Sequence, residues 1–265
     1  MNQQLRRLLL AVTAIASLAA AGMPAATAHP VCIPTPIETD RQVLRRQMHD
    51  RLVAKKFAEL DQIVSMILSE YEAGNSPEED VANLVRAFAT RDASDTPLLE
   101  EWVRRYPKSY VARLALGAHL HTPAFAARGN ALRDETSDEQ AARFRAGLAA
   151  AQRHVLASMP LSSRPASSFE YAISIAGATG SRREVLALYE RAVAIDFEAM
   201  SPREAFIWAI DPRWQGRPGD LEAYAAEVAN SSLQPELRQY LLYQVEMSLG
   251  GYAWARRDAP DAVRH

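Results

Sequence analysis

The stretch SRREVLALYERAVAID, Ser181 to Asp196, decides the fold class. Val185, Leu188, Tyr189, Ala192 and Val193 recur at the three- and four-residue spacing that gathers them on one helical face, while Arg183, Glu184, Glu190 and Arg191 fall elsewhere. Ser181 stands where an N-cap belongs, with Glu184 three residues on, a pairing in which each side chain satisfies an orphan amide of the first turn. Just before it, GATGS (Gly177 to Ser181) supplies the glycines of a tight turn.

Working outward, the same punctuation recurs. Thr39 with Gln42, Ser76-Pro77 with Glu79, Thr136 with Glu139, Ser167 with Glu170 and Ser201-Pro202 with Glu204 all fit the N-cap signature ahead of apolar-periodic runs. Helices are therefore expected over 39–55, 56–73, 77–90, 97–105, 109–128, 137–158, 167–177, 182–195, 202–210, 219–230 and 235–249. No period-two alternation of β-branched or aromatic residues is sustained, and no Asn-Gly or Asp-Gly hairpin turn occurs. The expected fold is all-α, an irregular array of antiparallel helical hairpins, with short connectors joining neighbours. ALYERAVAID, Ala187 to Asp196, looks like the second helix of a tetratricopeptide repeat (TPR), with Phe169, Ala172 and Ala176 on its first helix. One unit matches and no strict period extends over the rest, so the expectation is a TPR-like α-solenoid of irregular hairpins.

The chain opens with MNQQLRRLLLAVTAIASLAAAGMPAATA: Arg6 and Arg7, an apolar run from Leu8 to Ala21, and a small-residue Ala26-Thr27-Ala28 site. This reads as a secretory signal peptide over 1–28, cleaved before His29. The apolar run is shorter than the roughly 20 residues a spanning helix needs, and no later segment is apolar enough to stop transfer. A periplasmic or secreted product without a membrane span is expected. HPVCIPTPIE carries three prolines in ten residues and is expected to form an extended arm over 29–38. A single helical-array domain should fill 39–265, with a lobe break near the proline-marked 159–167. Cys32 is the only cysteine, so no intramolecular disulfide forms and stability must come from packing. The leader holds two of the 30 basic residues and none of the 32 acidic ones, leaving the mature chain slightly acidic. That balance gives no general pull towards nucleic acid.

Familiar catalytic signatures are missing: there is no H-E-x-x-H, G-x-S-x-G, phosphate-cradling loop or G-x-G-x-x-G. No cofactor is implied. His119 and His121 would share a face only on a strand; on the expected helix they point about 200° apart, which argues against metal chelation. Glu78-Glu79-Asp80 falls in an opening helical turn, where negative charge is favoured by the dipole, and is expected to be a solvated helix start rather than part of a glycosidase pair.

EEWVRRYPKSYVARLALGAHLHTPAFAARGNA is the richer stretch. Trp102, Tyr106, Tyr110 and Leu114 are spaced to pack a helical hairpin turned at Pro107. Arg104, Arg113 and Arg128 add long stems with charged tips, which on a concave face could form a basic, aromatic groove for a peptide or acidic segment. AIDPRWQGRPGDLEAY, Ala209 to Tyr224, contributes Arg213 and Trp214 to the same list of candidate binding residues, although both also suit a helix junction. There Pro212 stops one helix, Trp214 seals the corner, and Arg213 reaches helix-end carbonyls or a nearby acid.

LEEWVRRYPKSYVARLALG, then AFAARGNA, then the alanine-rich run Phe144 to Ala157, then DPRWQG with LEAYAAEVAN together resemble the DUF4034 family, a group of mostly bacterial helical proteins. The resemblance runs from about Leu60 to Trp254, and its most specific element is Pro212-Arg213-Trp214 with Gly216. Gln215 and Arg217 stand where that family more usually has a glycine and a small polar residue. The resemblance implies a helical, distantly TPR-like fold and brings no catalytic residues with it.

These readings point to an exported, non-enzymatic helical scaffold that binds a protein or peptide partner in the cell envelope. The alternative is an envelope enzyme, for example a peptidoglycan-acting hydrolase, whose acids come together from distant helices.

Overall fold

Apolar periodicity becomes helix along the whole of the described chain. The computed structural model describes residues 36–129, 136–214 and 216–257, with side chains described for 40–129, 136–214 and 216–252. The helices are α1 Pro36–Val53, α2 Phe57–Glu72, α3 Glu78–Arg86, α4 Asp95–Arg105, α5 Tyr110–Arg128, α6 Asp138–Ser158, α7 Ala166–Thr179, α8 Arg182–Ile195, α9 Ser201–Ala209, α10 Asp220–Ala229 and α11 Pro235–Arg257. A 3-10 turn, Met159–Leu161, follows α6, and no strand occurs among the described residues. The chain is all-helical, as its sequence predicts. The expected leader, Cys32 and most of the expected arm lie outside the described residues; α1 already includes Pro36 to Glu38.

Two compact units divide the chain, residues 1–43 and 44–265, and the described part of the first is the opening of α1. The core belongs to the second. Helices pack against sequence neighbours, as in α4 on α5, α5 on α6 and α10 on α11; α7 also packs on α9, and α9 on α11. Small residues set the closest approach. A Cβ added at Gly147 of α6 would lie 2.7 Å from the Ala124 Cβ of α5, so glycine lets those two backbones meet. Trp102, Tyr71, Tyr110, Phe57 and Phe88 are the largest fully buried side chains. Each contributes about 1.5–3 kcal/mol of transfer free energy. The expected α4–α5 hairpin is present, with Trp102 tilted on Phe88 at 5.3 Å between ring centroids.

Several expected caps are corrected. The capping box belongs to Ser137 and Gln140, one residue past the expected Thr136 and Glu139, with Gln140 N donating to Ser137 Oγ at 3.2 Å and Ser137 N to Gln140 Oε1 at 3.0 Å. Ser181 occupies the N-cap of α8 without a capping bond, and Thr39 lies inside α1. Ser167 and Ser201 fall within the first turns of α7 and α9, and their hydroxyls serve a buried acid instead of their own helices.

The segment 159–167 is stapled to α2. Ser162 Oγ and Ser163 N donate to Glu72 Oε1 at 2.6 and 2.8 Å, and Arg164 donates to the Tyr71 carbonyl at 2.7 Å and pairs with Asp196 at 3.0 Å. Pro123 sits inside α5 without an amide to donate. Just before it, the Thr122 hydroxyl bonds the Ala118 carbonyl at 3.1 Å.

Candidate functional site

The junction after α9 is built from its own residues. Asp211 is almost fully buried, and it accepts the Arg213 amide at 2.8 Å and the Arg213 side chain through Nε at 3.0 Å and NH2 at 2.6 Å. The Asp211 carbonyl takes the amides of Trp214 and Gly216 at 2.8 and 3.2 Å. Any Cβ at Gly216 would run into the Ile210 carbonyl, so that position admits only glycine. Arg213 also lies over α11, where a Cβ at Gly251 would stand 2.6 Å from its NH1. An acid, an arginine and a glycine thus hold the turn, and Trp214 is what the turn holds out.

Trp214 packs on Trp208 of α9 at 4.6 Å between centroids, and the Arg128 guanidinium from the end of α5 lies over its ring at 4.6 Å. Phe125, three residues before Arg128, meets Trp208 edge-on at 5.6 Å and Phe144 of α6 at 5.1 Å. Phe125, Trp208 and Trp214 border a cavity of about 630 Å³, lined also by Arg91, His121, Thr122 and Ser174. Its size lies within the usual range for pockets that enclose a small ligand.

Three elements deliver the polar side chains. Helix α5 brings His121 and Phe125 to one face through their four-residue spacing. Helix α7 brings Ser174, whose Oγ is 2.9 Å from His121 Nε2. Arg91 comes from the turn between α3 and α4. Burial holds the His121 imidazole well below its usual range, to about 4, so it is neutral near pH 7. Positive charge at the site therefore comes from Arg91 and Arg128. Neither has an acidic partner among the described residues.

The sequence brings Arg128 and Trp214 into one place but scatters the rest of its candidates. Arg104 is exposed on α4. Arg113 is half-buried beside His154, whose imidazole is held down first by burial and then by the charges of Arg113 and Arg153. Arg213 is engaged by Asp211. His119 and His121 face different surroundings: His119 is buried against Thr96 at 2.9 Å and Thr90 at 3.4 Å, while Thr90 and His49 both bond Asp95. Among the described residues no three His, Cys, Asp or Glu side chains are grouped to hold a metal ion.

A second polar group was hidden from the sequence. Glu78, expected at a solvated helix start, is 6 % exposed, and its Oε1 accepts the hydroxyls of Ser167 at 2.6 Å and Ser201 at 2.5 Å. Burial pushes its carboxyl upward against those bonds. Nearby, Arg86 is flanked by Glu170 at 3.3 Å and Glu204 at 3.8 Å, and the Tyr240 hydroxyl donates to Glu204 at 2.6 Å. Burial, opposed mainly by Arg86, raises the Glu170 carboxyl to about 7. The helix-start spacing of Ser167 and Ser201 disguised their use, because capping and bridging need the same hydroxyl.

Compared with family models, curated proteins and solved structures, the chain matches none.

Proposed function

We propose that this is an exported helical scaffold that binds a polypeptide partner through the pocket between α5, α7 and the α9–α10 junction. The observation that carries the reading is a pair of arginines, Arg91 and Arg128, without acidic partners among the described residues and beside a wall of Phe125, Trp208 and Trp214. Aromatic rings with arginine are the residue types that concentrate binding energy. Export is supported by the leader-like residues 1–28, and a TPR-like array by the packing of α7 on both α8 and α9. Membership of the DUF4034 family rests on the Pro212-Arg213-Trp214 and Gly216 motif and its companions. No helix among the described residues is long and apolar enough to cross a membrane.

A photoreactive residue at Ala126, which is exposed and lines the pocket, tests the reading in cells. The expected result is a discrete crosslinked partner from the envelope fraction, lost when Trp214→Ala is added. Crosslinking unaffected by that change would contradict the reading.

The enzyme alternative draws on Glu170 and Glu204, two acids from different helices that converge on Arg86. Because they close on an arginine, they are the weaker basis. Hydrolysis of peptidoglycan fragments that disappears in Glu170→Gln would favour it.

A further inference from the structure

The pocket is an open cleft of limited volume, and that volume limits what can enter. An amphipathic helix lies along a groove several turns long, and an added strand needs a sheet edge. A cavity of about 630 Å³ instead suits one bulky side chain with its immediate backbone. Charge narrows the choice further. The whole chain is slightly acidic, at net −2, yet the ionised groups gathered at this wall are arginines. Arg128 holds its guanidinium over the Trp214 ring, donates to the Gly129 carbonyl at 3.4 Å and meets no carboxylate among the described residues. Trp208 and Trp214, tilted by 40° to each other, offer flat apolar surface beside it. The Ser174–His121 pair, neutral and already hydrogen-bonded, adds polarity to the lining without adding charge.

A ligand that matches has a negative group joined directly to a flat or bulky apolar one. Within a polypeptide, only the last residue carries both on the same α-carbon. We infer that the pocket captures the free carboxylate end of a partner chain terminating in an aromatic or large aliphatic residue, with Arg91 and Arg128 on the carboxylate and Phe125, Trp208 and Trp214 around the side chain. This rests on the polypeptide-binding reading above and specifies which part of the partner is held.

Tryptophan fluorescence of the full chain, titrated with the acetylated peptide Ala-Gly-Ser-Ala-Phe, gives the test, because the peptide adds no tryptophan signal. Saturable binding by the free acid is expected, weakened at least tenfold by C-terminal amidation and at least tenfold by Arg91→Gln or Arg128→Gln. Arg104→Gln, on open surface, should leave the affinity within twofold. Trp214→Phe keeps a ring in place and guards against a folding defect, and it should bind more weakly than wild type but retain the preference for the acid. Equal binding of acid and amide would overturn the chain-end assignment while leaving the pocket as a binding site. No binding of either peptide, with the Ala126 crosslink still formed, would also overturn the assignment and leave the broader reading intact. Loss of both would refute the two together. Displacement by inorganic phosphate at equal concentration would mark the arginines as a general anion site and overturn the assignment as well.

Discussion

Two sets of arginines stand in contrast. Arg86, Arg164, Arg182 and Arg213 each close on a carboxylate: Glu170 and Glu204, Asp196, Asp220 and Asp211. Arg91 and Arg128 meet no acid among the described residues, and they stand at a wall of aromatic rings. Arg86, Arg164 and Arg182 tie separate segments of the chain, and Arg213 closes its own turn on Asp211. Removing Arg164 or Arg213 strands a buried carboxylate, that of Asp196 or Asp211, a cost of several kcal/mol. Arg128 is held by the Trp214 ring and the Gly129 carbonyl and not by a carboxylate among the described residues, so the place of these two arginines beside a pocket asks for a purpose outside the fold.

The sharpest way to break this division is at the junction that carries Trp214. Gly216→Ala sets a Cβ against the Ile210 carbonyl, which is backbone and has little room to move. A loss of more than about 4 kcal/mol in chemical denaturation is expected. Close to wild-type stability would mean that the turn is not held by that contact. Next comes the paired interior. Glu78→Ala leaves the Ser167 and Ser201 hydroxyls without their acceptor and should cost about 2–4 kcal/mol, with Glu78→Gln, which keeps an acceptor, losing less.

Smaller and pH-dependent is the effect at Glu170. Its folded carboxyl titrates near 7, above the usual value, so the folded state holds a proton that the unfolded chain has released between about pH 4.5 and 7. This group therefore favours folding fully below that window, and the favour is lost as pH rises through it. Glu170→Gln should gain about 1–2 kcal/mol relative to wild type at pH 8, and the gain should vanish near pH 5. A gap that is constant with pH would show that Arg86 compensates the buried charge completely.

How far the sequence foretold this arrangement varies by kind of evidence. The face of α8 was legible, because Val185, Leu188, Tyr189 and Ala192 follow helical spacing and all four are buried. Arg128 and Trp214 were also singled out, although they lie 86 positions apart and only the fold stacks one on the other. Arg91, Phe125 and Trp208 carried no local signal: an arginine in a turn and rings in a helix read as solvent contact and core. Glu78 was misread for a physical reason. An acid in a first turn is favoured by the helix dipole whether or not another helix covers it, and the covering serines come from 89 and 123 positions away. Spacing reports the face a residue takes on its own helix, and partners between helices leave no trace in it.

The central claim is that Arg91 and Arg128 serve a ligand and not the fold, and one thermal-shift comparison tests it most directly. The double variant Arg91→Gln, Arg128→Gln should melt within about 4 °C of wild type, since losing the stack of Arg128 on Trp214 costs about 1 kcal/mol at most and Arg91 is exposed. Saturating free-acid peptide should raise the wild-type melting temperature and leave that of the variant unchanged. A variant that melts far below wild type, or one that keeps the full peptide-induced rise, would contradict the claim.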